Sequence, residues 1–73
     1  MQFLKEHANL QRLIDRATTK ARIAQNPQYA RQNRDEAYGL LRGICEALTE
    51  LGYVENGNVL RDEIWERAKE GRR

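Results

Sequence analysis

Phe3, His7, Leu10, Ile14, Ala17, Ala21 and Ala24 recur at alternating spacings of four and three. An α-helix gathers such a series onto one side, as a continuous seam. Residues 3–24 are therefore predicted to form one helix, its seam thickened by Leu13. The seam is bulky at its start and ends in alanines. A neighbouring helix is expected to come closest near residues 17–24.

A second seam runs through Ala37, Leu41, Ile44, Leu48 and Leu51, broadened by Leu40. Asn26 is a good N-cap and Pro27 suits a first helical position. The second helix is therefore predicted over 27–51. Asn33, with Glu36 three residues on, is the alternative start. "LGY" at 51–53 reads as a C-terminal stop, with Gly52 in the left-handed conformation. In "YVENGNVL" the Asn-Gly pair is a hairpin signal. However, Leu60, Ile64 and Ala68 follow at helical spacing, Glu63 and Arg67 form an i,i+4 pair, and Asn58 can cap. A loop and then a short third helix over 59–70 is the preferred reading. "EGRR" is expected to be a frayed tail.

The predicted fold class is therefore all-α, as a single domain over residues 1–73. It is a long antiparallel αα-hairpin plus a short C-terminal third helix. At 73 residues, 40% hydrophobic and 33% charged, the chain is polar for something that must build its own core. One cysteine, Cys45, allows no internal disulfide, and one Cys with one His, His7, cannot furnish a usual structural zinc site. The third helix is too short to cover both seams. Assembly as a homodimeric helical bundle is expected.

The start of the chain lacks a basic flank followed by an apolar run, and no apolar stretch approaches the ~18 residues of a membrane span. A cytoplasmic setting without membrane contact is the expectation. Net charge is +2, yet unevenly placed: residues 1–45 hold 8 basic and 4 acidic side chains, residues 46–73 hold 5 and 7. That asymmetry favours self-association or an asymmetric partner surface over a uniform nucleic-acid coat.

Two glycines, Gly39 and Gly43, lie inside the second helix beside its apolar arc. Each costs roughly 0.5–1 kcal/mol relative to Ala. With Ala47 they make a strip poor in side chains, bordered by Glu46 and Glu50. The expected reason is crowded packing against the first or third helix. A dimer contact or a foreign partner are the other readings.

Lys5, Arg12, Arg16 and Lys20 form a basic ridge on the first helix, away from Ile14 and His7. It could track phosphates or dock an acidic partner. The plainer reading is a solvated face, partly paired with Glu46, Glu50 or other acids across the hairpin. Arg61 and Trp65 are of the types enriched at binding hot spots. The plainer reading makes Trp65 the anchor of the third helix, with Arg61 stacked over it. Tyr29, Tyr38 and Tyr53 read as amphipathic edge residues.

His7 is expected as a hydrogen-bonded seam residue, and Cys45 as a small hydrophobe bordering the arc. The chain has no serine and no Gly-rich phosphate loop. No catalytic constellation is legible, so no enzyme activity, cofactor or metal is expected. A helix-turn-helix reader is also disfavoured, because the second connection is long and the third helix carries Asp62, Glu63, Glu66 and Glu70.

The leading expectation is a small regulatory or adaptor protein that binds another protein, by occlusion or recruitment. Such a chain would suit a phage or mobile-element modulator of a host protein. A helical RNA- or DNA-binding dimer using the ridge is the alternative, and a structural subunit of a larger assembly is the third.

Overall fold

The computed structural model describes the backbone of residues 2–70 and the side chains of residues 8–70. The expectations for the side chains of Phe3, Lys5 and His7, and for the tail 71–73, lie outside the described residues. There are three helices and no strand among the described residues: α1 (Gln2–Gln25), α2 (Arg31–Glu50) and α3 (Gly57–Glu70). Each helix packs against both others.

α1 matches its predicted span to within a residue at either end. Its alanines do what the tapering seam implies: Ala17, Ala21 and Ala24 are buried, while Leu10, Leu13 and Ile14 are half-buried. Small side chains let the other helices come close there. The β-branched Thr18 and Thr19 are accommodated because each hydroxyl donates to a carbonyl one turn back, Ile14 at 2.8 Å and Asp15 at 3.1 Å.

α2 begins at Arg31, later than the predicted Pro27 and earlier than the alternative at Asn33. The reason is local. Asn26 does not cap α2. Its Oδ1 accepts the Gln28 N–H at 3.0 Å, and its carbonyl accepts the Tyr29 N–H at 3.2 Å. Pro27 thus occupies the bend of a tight turn, for which its fixed φ is equally suited. Ala30 enters the helix at φ −59°, ψ 148° with no side-chain cap. Arg34 then ties the corner together, its Nε donating to the Ala24 carbonyl at 3.1 Å.

The stop at "LGY" is as predicted. Gly52 has φ 84°. The Gly52 N–H donates to the Thr49 carbonyl at 3.1 Å and the Tyr53 N–H to the Leu48 carbonyl at 2.9 Å, the paired bonds of a Schellman ending. α3 starts two residues early, because Asn56, not Asn58, is its cap. Asn56 Oδ1 accepts the N–H groups of Asn58 at 2.9 Å and Val59 at 3.3 Å.

The core is Ala17, Ala21, Leu41, Cys45, Ile64 and Ala68, with Tyr38, Ile44, Leu60 and Trp65 packed around it. α2 is rotated relative to the predicted seam. Ala37, Leu41 and Leu48 are buried as expected, and Cys45 joins them. Leu40 and Leu51, assigned to the seam, are 49% and 69% exposed. The rotation follows from where α3 sits. It lies against the Tyr38–Thr49 side of α2, which draws Cys45 inward and leaves the opposite edge of the arc outside.

Candidate functional site

Two surfaces stand out. The first is a depression of about 420 Å³ between the end of α2, the 51–56 connection and the start of α3. Glu46, Glu50, Glu55, Arg42 and Arg61 line it, with Cys45 and Gly57 among its lining residues. Arg42 pairs with Glu46 at 3.9 Å. Arg61 turns to Asp62 at 3.3 Å and to Asn58 at 3.4 Å, toward the N-terminus of its own helix. The predicted stacking of Arg61 over Trp65 gives way to these contacts. Trp65 meets Tyr38 edge-on, ring centres 5.5 Å apart at 90°. The Trp65 carbonyl accepts a bond from Gln25 Nε2 at 3.1 Å. Trp65, half-buried, thus packs α3 against α2 and the end of α1, beside the buried Ile64 and Ala68.

Cys45 is 2% exposed. Burial pushes its thiol above the usual range, and the Arg61 guanidinium pulls more weakly the other way. A thiol kept neutral is a poor nucleophile. No buried side-chain polar atom lacks a partner, and no cluster of three potential metal ligands occurs, among the described residues. Within this depression Arg42 is engaged with Glu46, and Arg61 with Asn58 and with Asp62 beside it.

The second surface is the side of α1 and α2 away from α3. Tyr38 and Thr49 mark the side of α2 that α3 occupies. At 100° per residue, Leu40 lies about 160° around from Tyr38, and Leu51 the same from Thr49. Leu40, Ile44, Ala47 and Leu51 therefore form one stripe, in which only Ile44 is half-covered. At one end a shallow depression is lined by Lys20 and Ile23 of α1, Tyr29 of the turn, and Glu36, Ala37 and Leu40 of α2. α3 contributes nothing to it. Tyr29 is itself 44% exposed.

The ridge of α1 borders this face. Arg12 and Arg16 are exposed and Lys20 is half-buried. The expected pairing with Glu46 or Glu50 is not formed: no ion pair involves Arg12, Arg16 or Lys20 among the described residues. On the α2 side, Glu36, Gly43 and Glu50 succeed one another every seven residues, just beyond Leu40 and Ala47. The face thus has an apolar middle, a basic edge on α1 and an acidic edge on α2.

The glycine expectation fails within the chain. A Cβ added at Gly39 or Gly43 would meet nothing within 4 Å. Among the described residues, no helix packs on them. Sequence reasoning missed the glycine that is crowded, Gly57, where a Cβ would stand 2.6 Å from Thr49 Oγ1 and 2.9 Å from the Cys45 carbonyl oxygen. The available signal was Thr49, whose hydroxyl donates to that same carbonyl at 2.9 Å.

No helix among the described residues is long and apolar enough to cross a membrane. No protein-family model, curated protein or solved structure matches this chain.

Proposed function

We propose that this chain is a small non-enzymatic regulatory or adaptor protein, a single helical domain that acts by binding another polypeptide chain. α1 and α2 serve as the arms of an antiparallel hairpin, and α3 props one side of it. The face that α3 leaves uncovered is the binding surface. The observation that carries this reading is the exposure of Leu40 and Leu51 in one stripe with Ile44, on a chain whose buried large aliphatics are only Leu41, Leu48 and Ile64 among the described residues. Large apolar groups aligned on one side of a small protein mark an interaction surface more often than scattered ones do. The action is occlusion or recruitment, since the surface carries no reactive group.

The test is capture from the source cell with the wild type and with Leu40→Asp plus Leu51→Asp. Both positions are exposed, so the fold should survive. A captured protein that persists at high salt, resists nuclease and disappears with the variant supports the reading. Unchanged capture by the variant sinks it.

A nucleic-acid reading is favoured by one observation: Arg12 and Arg16 are exposed and without an ion pair among the described residues. Binding through them would weaken steeply with salt, because phosphate contacts release counterions. It would vanish with Arg12→Glu plus Arg16→Glu and survive the leucine changes.

A further inference from the structure

We propose that the occupant of the α1–α2 face is a second copy of this chain, related by a two-fold axis parallel to the hairpin. α1 of each copy then lies along α2 of its partner. The inference rests on the reading of that face as a protein-binding surface and adds which protein covers it and in which orientation.

The charge layout selects the orientation. A closed pair must bring the same patch together on both copies. If the axis ran across the hairpin, α1 would lie on α1, and Arg12, Arg16 and Lys20 would confront their own duplicates. Like charges so placed oppose association. With the axis along the hairpin, the basic edge of α1 meets the acidic edge of the partner's α2.

The levels also agree. Lys20 and Ile23 share a depression with Ala37 and Leu40, and Arg34 reaches the Ala24 carbonyl. Counting turns from there, Lys20 stands level with Leu40, Arg16 with Ile44, and Arg12 with Leu48. An axis along the hairpin preserves these levels across the pair. Lys20 therefore comes level with the partner's Leu40, one turn from the partner's Glu36, and Arg12 comes about half a turn from the level of the partner's Glu50. Arg16 falls between them, opposite the partner's Gly43. The notch without a side chain between two carboxylates receives the middle arginine. Gly43 thereby acquires the close neighbour that it lacks within one chain.

Three proteins test this: the wild type, Arg12→Glu with Arg16→Glu, and Glu36→Lys with Glu50→Lys. All four positions are exposed, and circular dichroism checks that the helices persist. Sedimentation equilibrium at micromolar concentration should give the wild type a mass about twice 8.6 kDa. Each variant alone should sediment at half that mass, since its two edges now repel. An equimolar mixture of the variants should regain the doubled mass, because each edge then meets its opposite. A monomeric wild type, a dimer that survives either reversal, or a mixture that stays monomeric overturns the proposal. A monomeric wild type that still loses its captured protein with Leu40→Asp and Leu51→Asp would overturn the second copy and spare the binding face. Capture unaffected by those changes would remove the face itself.

Discussion

Gly57 lies directly against Thr49: a Cβ on Gly57 would stand 2.6 Å from Thr49 Oγ1, with the Cys45 carbonyl oxygen only 2.9 Å away. α2 and the start of α3 are packed tightly at this point. The hydroxyl tip can rotate aside, but the carbonyl belongs to the α2 backbone and cannot. Gly57→Ala is expected to destabilise by about 1–3 kcal/mol, as overpacking does. Thr49→Ala in the same chain should recover only part of that loss. Denaturant midpoints of the two single variants and the double variant check it. A Gly57→Ala protein as stable as the wild type would show that α3 shifts freely.

Gly39→Ala and Gly43→Ala are expected to act in the opposite direction. Open space surrounds both positions, and neither has a positive φ. In dilute protein each change should stabilise by about 0.5–1 kcal/mol, the helix-interior advantage of Ala over Gly. At concentrations where copies pair, Gly43→Ala should weaken association and Gly39→Ala should not, because Gly39 lies farther around the helix from Leu40. Thermal melts at two concentrations separate these effects. Equal behaviour of the two variants would remove Gly43 from any interface.

The fold class and the three helices were legible because seam periodicity is a property of the chain itself. The caps were not. Asn26, Asn56 and Asn58 offer the same side-chain carbonyl, and sequence does not say which of them a turn will claim. Asn26 spends its own on the Gln28 N–H, and Asn56 takes the role assigned to Asn58. The facing of α2 was half legible for a similar reason. Periodicity gives the width of an apolar arc, but a third helix decides which edge is covered. Once Trp65 meets Tyr38, the Leu40 edge is left outside. The glycines misled because a helix-interior glycine advertises a cost without naming the neighbour that justifies it.

The caps yield their own test. Asn56→Ala removes the acceptor for two N–H groups at the start of α3 and should cost about 0.5–2 kcal/mol. Asn58→Ala loses only a 3.4 Å contact from Arg61 on an exposed surface and should stay within about 0.5 kcal/mol of the wild type. Chemical denaturation ranks them. The reverse order would restore Asn58 as the cap.

Neighbouring leucines on α2 should differ sharply. Leu41 is fully buried, whereas Leu40 is half-exposed. Leu41→Ala is expected to cost about 2–5 kcal/mol, as core truncations do. That is a large share of the stability of any small domain, and the variant could lose its cooperative transition. Leu40→Ala should leave the dilute protein within about 1 kcal/mol of the wild type. Comparable losses at both positions would mean that α2 turns a different edge to the core.

Cys45 gives stability a pH dependence whose sign is fixed by burial. In the unfolded chain its thiol ionises near its ordinary value of about 8.5. In the folded chain desolvation raises that value, and the nearby Arg61 only partly offsets it. Below the ordinary value both states hold the proton, and the thiol adds no slope. Above it the unfolded state holds fewer protons than the folded one, so stability falls as pH rises, until the folded thiol also ionises. Other groups titrate in the alkaline range, so the contribution is read as a difference. The stability gap between wild type and Cys45→Ala should narrow steadily above the ordinary thiol value and stay constant below it. Iodoacetamide should report the same burial, labelling Cys45 slowly in the folded protein and rapidly in denaturant. A gap that is flat across the alkaline range, together with fast labelling of the folded protein, would place the thiol in water rather than among Leu41, Ile64 and Ala68.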